Sequence, residues 1–412
     1  MKNVVIVGAG KIGATLADML AATRDYRITV ADRSPAQINL LDSRSGTDKA
    51  QLDIEDSEAL HELLAGCFAV ISAAPYHLTL RVAEAAARAK IHYLDLTEDV
   101  ACTRRVRELA TNGSCAFIPQ CGLAPGFVSI VAYDLATRFD ALDSVRLRVG
   151  ALPQYPSNAL NYNLTWSTDG VINEYCQPCE AIVDGVLVNT HPLAEREEFS
   201  LDGVIYEAFN TSGGLGSLCE ALAGKVRTLN YRTIRYPGHA AIMKALLHDL
   251  RLKDRRDVLK DILENALPET LQDVVIIFVT ASGFRGGRLT QETYANKIYS
   301  RPVGDVMRSA IQLTTASGVA AVLDLLAAGK LPQKGFVRQE DVTLDAFLRN
   351  RFGQVFAIAG QPSARANTSN ASRFCQTSRN RQAKAKPRLI AKTGGANRLS
   401  SPVTVDFPFS PE

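Results

Sequence analysis

An α/β protein is what this sequence predicts: a doubly wound parallel sheet at the N-terminus, then a second α/β domain on a mixed or antiparallel sheet. Three observations predict it. Short apolar runs alternate with amphipathic helical stretches over the first 140 residues, the rhythm of parallel strands joined by crossover helices. A Gly-x-Gly-x-x-Gly stretch follows the first apolar run. Beyond residue 140 the apolar runs become longer and one pair is joined by the turn "RGG".

The elements follow in order. "NVVIV" is a short buried strand, and "GAGKIG" turns it into the helix "ATLADMLAATRD", with Leu16, Met19 and Leu20 on one face. "YRITVADR" is the next strand and carries Asp32 at its end. "SPAQINLLDS" reads as a helix capped by Ser34 with Pro35 in its first turn. "AVISAAP", "IHYLDLT" and "CAFIPQ" are further strands, separated by the helices "LTLRVAEAAARAK" and "DVACTRRVRELATN". In the second domain "DSVRLRVGAL", "AIVDGVLV", "GVIYEAFN", "VRTLNYRTIRY", "QDVVIIFVTASGF" and "GGRLTQETYANKIY" each read as one strand. "HAAIMKALLHDLRL" and "RRDVLKDILENAL" are its helices, and "VGDVMRSAIQLTTASGVAAVLDLLAAGK" reads as one long helical stretch. The expected division is 1–140 for the dinucleotide domain, completed by helices from about 303–356, and 141–302 for the second domain.

Composition narrows the classes. Residues 358–412 carry nine Lys/Arg and two Asp/Glu, so the net charge of +3 conceals a body of about −4. An acidic body argues against a nucleic-acid groove, and the Ser-, Asn- and Arg-rich end is expected to be a disordered basic tail. No run of 18 or more apolar residues is evident, so no membrane span is expected. "MKNVVIV" reads as a strand rather than a leader, and a cytoplasmic location is expected. Eight cysteines are scattered, with one isolated Cys176-x-x-Cys179. A lone pair without a second ligand pair predicts incidental thiols and no metal.

The chemistry-bearing stretches lie at predicted strand ends. Gly8, Ala9, Gly10, Lys11, Ile12 and Gly13 form the phosphate turn of a Rossmann βαβ unit, and Asp32, 24 residues after Gly8, suits the ribose hydroxyls. Its charge favours NAD, while the adjacent Arg33 suits a 2′-phosphate. Ser72, Ala73, Ala74 and Pro75 leave room for the dinucleotide, and Tyr76 and His77 either overhang the nicotinamide or begin a helix at the surface. "YLDLTED" places Asp95, Glu98 and Asp99 at a strand end. Capping explains Glu98 and Asp99, which leaves Asp95 as the functional carboxylate. "CGLAPG", with Gly122 and Leu123, is a small rigid corner in the same row, with space for nicotinamide and substrate.

The set "GAGKIG", "YLDLTED", "CGLAPG", "WSTDGVINEY", "EAFNTSGG" and "TIRYPGH" resembles the saccharopine dehydrogenase (saccharopine reductase-like) superfamily, and is most similar to its lysine 6-dehydrogenases. Saccharopine reductases typically have an aspartate where this chain has Ala124. The resemblance implies a dimerisation role for the second domain, a homo-oligomer, and a substrate cleft between domains lined by Asp95, Cys121 and Arg232. It implies NAD-dependent oxidation of the ε-amine of L-lysine to an aldehyde that cyclises to piperideine-6-carboxylate, with release of ammonia. A lysine amine has a pKa of about 10.4, so its deprotonation near neutrality costs roughly 4–5 kcal/mol. Asp95, Tyr76, His77 and His239 are the candidates to accept that proton. Arg232 or Arg235 suits the α-carboxylate, and Glu174 either touches substrate or packs. A saccharopine- or opine-forming reductase and a non-catalytic NAD sensor are the alternatives.

Overall fold

The computed structural model describes residues 1–41, 47–111 and 113–358. The first half contains strands β1 (Lys2–Val7), β2 (Tyr26–Asp32), β3 (Thr47–Gln51), β4 (Ala69–Ser72), β5 (His92–Asp95) and β6 (Ala116–Ile118). Between them lie helices α1 (Lys11–Ala21), α2 (Pro35–Leu40), α3 (Ser57–Leu64), α4 (Tyr76–Ala89) and α5 (Val100–Thr111), and α6 (Phe127–Ala136) follows. Val4 to Val7 and all of β4 are buried, which is why these runs are continuously apolar rather than alternating.

The second half contains β7 (Ala141–Pro153), α7 (Thr168–Cys176), β8 (Cys179–Val183), β9 (Val186–Thr190), β10 (Glu197–Leu201) and β11 (Val204–Asn210). It continues with α8 (Leu218–Leu222), β12 (Thr228–Arg235), α9 (His239–Lys244), α10 (Arg256–Ala266), β13 (Asp273–Arg285) and β14 (Arg288–Tyr299). The hairpin β15 (Arg301–Val303) and β16 (Val306–Arg308), helix α11 (Ala310–Ala327), strand β17 (Gly335–Phe336) and helix α12 (Leu344–Arg349) close the described chain.

The first sheet has the order β17-β6-β5-β4-β1-β2-β3 and all its pairings are parallel. Strand order reverses between β1 and β4, so a crevice opens at their carboxyl ends. The second sheet runs β10-β11-β12-β7-β13-β14, with β8 and β9 added beside β12. It is mixed, because β12 and β7 are parallel while their other neighbours are antiparallel. One apolar cluster spans both sheets, from Ile6 and Ile28 through Phe127 and Val319 to Val149 and Ile277. Each such fully buried side chain stabilises by about 1.5–3 kcal/mol.

Helix α11 is the shared spine. It is long and apolar enough by length and composition to cross a membrane, which the sequence reading did not anticipate, yet 83% of it is buried inside the protein. Asp273, at the start of β13, accepts from the N–H groups of Ala310 (2.5 Å) and Ile311 (3.0 Å). A carboxylate there satisfies orphan donors and complements the helix dipole. Arg308 pairs with Asp18 of α1, and Asp324 accepts from Tyr26 Oη at 2.7 Å and Asn350 Nδ2 at 2.8 Å. These ties hold α11 and the segment after it against α1 and β2.

Two expectations are corrected. "AIVDGVLV" is not one strand but the β8–β9 hairpin, turning at Asp184 and Gly185 with φ of 49° and 81°. Asp202 and Gly203 likewise turn β10 into β11 at 51° and 78°. Asp-Gly pairs with two positive φ values form the tight turn whose twist matches paired strands. The stretch before Ser309 is the β15–β16 hairpin, and helix begins only after the Ser309–Gln312 capping box. Except for Ile358, the expected basic tail lies outside the described residues.

Candidate active site

A cleft of about 1070 Å³ runs from the carboxyl edge of the first sheet to β7, β12 and α7. At one end are Gly8, Gly10, Lys11, Ile12, Asp32 and Arg33. Gly8 has φ +112°, and a Cβ there would stand 2.6 Å from the Ala73 carbonyl oxygen. Only glycine lets the end of β1 approach β4 so closely. A Cβ on Gly13 would lie 1.9 Å from the Gly8 carbonyl oxygen, whereas one on Gly10 would meet nothing within 4 Å. Gly10 therefore faces open space at the start of α1, where the first N–H groups lack intrahelical partners. Asp32 Oδ2 accepts from Ala9 N and Oδ1 from Ser34 N, both at 2.8 Å. These bonds fix its carboxylate beside the turn and leave lone pairs for further donors. The open cradle, the helix amino end and a fixed carboxylate fit a dinucleotide.

The middle of the cleft is lined by Ala73, Ala74, Pro75, Tyr76 and His77, and by Gly122 to Pro125. Pro75 precedes α4, so Tyr76 and His77 occupy its first turn, their rings edge-on at 5.6 Å. The corner "CGLAPG" closes on itself. A Cβ on Gly126, at φ +138°, would lie 2.1 Å from the Gly122 carbonyl oxygen. Helix α11 leans on the same corner: a Cβ on Gly318 would stand 2.7 Å from the Cys121 and Gly122 oxygens. The smallness of this stretch is thus required for packing behind it as well as for room in front.

The far end is made of side chains. On β12, Tyr231, Thr233 and Arg235 line the cleft, as the two-residue period of a strand requires. Arg235 is 2% exposed and has no ion-pair partner among the described residues. Glu174 projects from α7, whose start is capped by Ser167 Oγ accepting from Gly170 N at 3.2 Å. Burial, then the nearby Glu98 charge, pushes the Glu174 carboxyl well up. Glu98 also lines the cleft, and burial, with Asp99 and Asp95 adding to it, raises its pKa to about 7. Gly213 holds this wall close, since a Cβ there would stand 2.7 Å from the Glu98 carbonyl oxygen.

The cleft brings together most of the residues the sequence singles out, and excludes several. Asp95 is fully buried behind the wall: Oδ1 accepts from Gln120 N (2.8 Å) and Thr97 N (3.1 Å), and Oδ2 from Tyr93 Oη (2.7 Å). Its pKa rises to about 6 through burial, opposed by those bonds. It braces two strand ends and does not line the cleft. Cys121 is also behind the wall, its Sγ 2.9 Å from the Ile118 carbonyl and its pKa pushed well up by burial. His239 is buried, bonded to Tyr175 Oη and the Leu160 carbonyl. Arg232 points to the opposite face of β12 from Arg235 and pairs with Glu195 and Glu197, both at 3.0 Å. Ala9 and Ser72 are buried beneath the turn residues, with Ser72 Oγ 3.1 Å from Thr79 Oγ1, and Gly13 serves helix packing.

Sequence reasoning missed Glu98 as a cleft residue, because a carboxylate at a helix start has a sufficient capping role. Trp166 also lines the cleft, as do Asp169 and Lys260, which pair at 2.6 Å. Nothing local marks these. Cys176 and Cys179 are free thiols flanking the end of α7, and no group of three or more metal-ligating side chains occurs among the described residues.

A family model described as the saccharopine dehydrogenase NADP binding domain matches residues 4–115, and one for the saccharopine dehydrogenase C-terminal domain matches residues 122–354. The second alone covers more than half of the chain. The chain belongs to the saccharopine dehydrogenase family. This family member is 27% identical over 265 residues to "Saccharopine dehydrogenase [NADP(+), L-glutamate-forming]" of Saccharomyces cerevisiae, covering 61% of this chain and 59% of that protein. It is 25% identical over 195 residues to the mitochondrial alpha-aminoadipic semialdehyde synthase of Mus musculus, covering 46% of this chain and 21% of that one. The matched segments thus span less than two thirds of these relatives. The solved structure of saccharopine dehydrogenase (L-Glu forming) from Saccharomyces cerevisiae superposes with a TM-score of 0.68 at 20% identity, covering 82% and 94% of the two chains. That likeness shows the fold.

Proposed function

We propose that this family member is a nicotinamide-dinucleotide-dependent oxidoreductase that acts at a C–N bond of an amino acid, and that L-lysine, oxidised at its ε-carbon with NAD, fits it best. One observation carries the reading: a single cleft joins the glycine cradle to Arg235, a buried guanidinium with no ion-pair partner among the described residues. Burying an unpaired charge costs several kcal/mol, so such a group is understandable where an anionic ligand completes it. Arg235 takes the α-carboxylate, and Glu98 and Glu174 face the amino groups. One cation and two carboxyls suit a substrate with one carboxylate and two amines.

The dinucleotide, when bound, supplies the hydride acceptor. Glu98 takes a proton from the substrate ammonium, since burial has brought its basicity near neutrality. Water then adds at the ε-carbon of the oxidised substrate, and the proton held by Glu98 returns to the nitrogen as the C–N bond breaks and ammonia leaves. Glu174, whose carboxyl burial also pushes well up, faces the other amine. Gly122, Leu123, Ala124 and Pro125 present no ionisable side chain and leave room for the nicotinamide and the reacting carbon. Asp32 supports NAD, because its carboxylate repels a 2′-phosphate.

A second reading, oxidation or formation of saccharopine with NADP, is favoured by the names of the relatives and of the matching domain. Arg33, exposed and without an ion-pair partner among the described residues, is the group that would meet a 2′-phosphate. The test is reduced-nicotinamide absorbance with each pairing of NAD or NADP with lysine or saccharopine. The lysine reading expects reduction with lysine and NAD to dominate. Turnover confined to saccharopine would replace it with the second reading. A homo-oligomer is proposed on the resemblance alone and is checked by light scattering.

A further inference from the structure

A buried guanidinium presents five N–H groups, and two atoms of Arg235 are committed. Nε donates to Tyr175 Oη and Nη1 to the Ile234 carbonyl, both at 3.0 Å. The Tyr162 ring lies 4.9 Å from Cζ. No acceptor among the described residues takes Nη2. The hydrogens behind Nε can be assigned in sequence. The Leu160 carbonyl can only accept, so His239 Nδ1, at 2.9 Å, carries a hydrogen. A neutral ring then leaves Nε2 as a bare acceptor, and burial, then the Arg235 charge, holds the ring's pKa down at about 3. Tyr175 Oη stands 3.1 Å from Nε2, so the phenol hydrogen points to the imidazole and its oxygen lone pair to Arg235 Nε. Phe209 stacks on the imidazole at 6.2 Å and 9°, which fixes the plane of the ring.

We propose that Tyr175 and His239 are positioning residues: a directed chain from the Leu160 carbonyl through His239 and Tyr175 to Arg235 Nε turns the guanidinium so that Nη2 meets a substrate carboxylate. The proposal rests on the reading of Arg235 as the carboxylate clamp. It gives His239 a role in substrate affinity without contact with substrate, and explains a histidine kept neutral and out of the cleft.

Three measurements test it. Nitrogen NMR of the full chain labelled at histidine is expected to show His239 protonated at Nδ1 and bare at Nε2. The opposite tautomer overturns the chain whatever the enzyme oxidises. Trp166, the sole tryptophan, lines the cleft and reports binding of L-norleucine, which has the carboxylate of lysine but no ε-amine. Tyr175→Phe is expected to weaken norleucine binding about tenfold. In turnover the loss should fall on KM rather than kcat, and His239→Gln, which keeps an acceptor, should retain more affinity than His239→Leu. Norleucine binding by Tyr175→Phe within about twofold of the unaltered protein overturns the proposal, even if lysine proves to be the substrate. Weakened norleucine binding in a protein that oxidises no amino acid upholds the positioning role and removes the proposed reaction instead.

Discussion

The two ends of the cleft are built by different means. The dinucleotide end is backbone: glycines whose missing side chains either allow contact, as at Gly8 and Gly13, or leave room, as at Gly10. The far end is side chain: Arg235, Glu98 and Glu174, where burial raises both carboxyls and opposes the charge on Arg235. A backbone site needs only a local turn at a helix start. A site of buried charges exists only where distant segments exclude water around it, so its properties belong to the assembled wall. The two faces of β12 repeat the lesson at smaller scale. Arg232 is paired with Glu195 and Glu197, while Arg235, three residues on, lines the cleft with no ion-pair partner among the described residues.

The largest effect expected is at Glu98. Glu98→Gln should lower kcat about 10²–10⁴-fold and abolish the rise of rate with pH through about 7. The same shift has a stability consequence. A carboxyl raised from 4.5 to about 7 on folding contributes stability fully present below the lower value and lost as pH rises through the higher one. Glu98→Gln should therefore raise the melting temperature relative to the unaltered protein at about pH 8 and leave it unchanged at about pH 4. A pH–rate profile unchanged by the substitution would give the proton transfer to another group.

Next comes the pair of arginines. Arg235→Ala should raise KM about 30- to 100-fold, the loss of a charge-assisted bond of about 2–3 kcal/mol, whereas Arg232→Ala should change KM less than about threefold. Equal effects on steady-state KM would erase the distinction between the faces. Gly13→Ala probes the backbone end. It forces a Cβ against the Gly8 carbonyl and should cost about 1–3 kcal/mol by denaturant midpoint, with dinucleotide affinity falling in step; a normal midpoint would mean that the turn yields freely. The smallest effect is at Lys11 and Glu269, which pair at 2.7 Å across the cleft mouth with both side chains exposed. Glu269→Ala should alter stability by less than about 1 kcal/mol and, by freeing Lys11 for phosphate, tighten dinucleotide binding slightly in a fluorescence titration.

Legibility follows the same division. The first sheet's alternation, the glycine turn and Asp32 at the end of its strand were readable, because they depend on neighbours in the chain. The hairpins at Asp184-Gly185 and Asp202-Gly203 were readable in principle, since Asp-Gly between apolar residues is a turn signal. At Asp184-Gly185 the valines on both sides suggest one continuous strand, which hides the turn. Asp95 was preferred to Glu98 because it lies within the strand pattern. Its position there is what buries it as a brace, while the residue one turn further on reaches the cleft.

By itself, the sequence determined the glycine turn, since it is a rise and turn of backbone within one βαβ unit. Only the tertiary structure decided which face of β12 meets the cleft and which carboxyls are desolvated there. Strand periodicity separates Arg232 from Arg235 but does not say which parity is inward, and a pKa is set by the neighbours and the water that folding brings or removes.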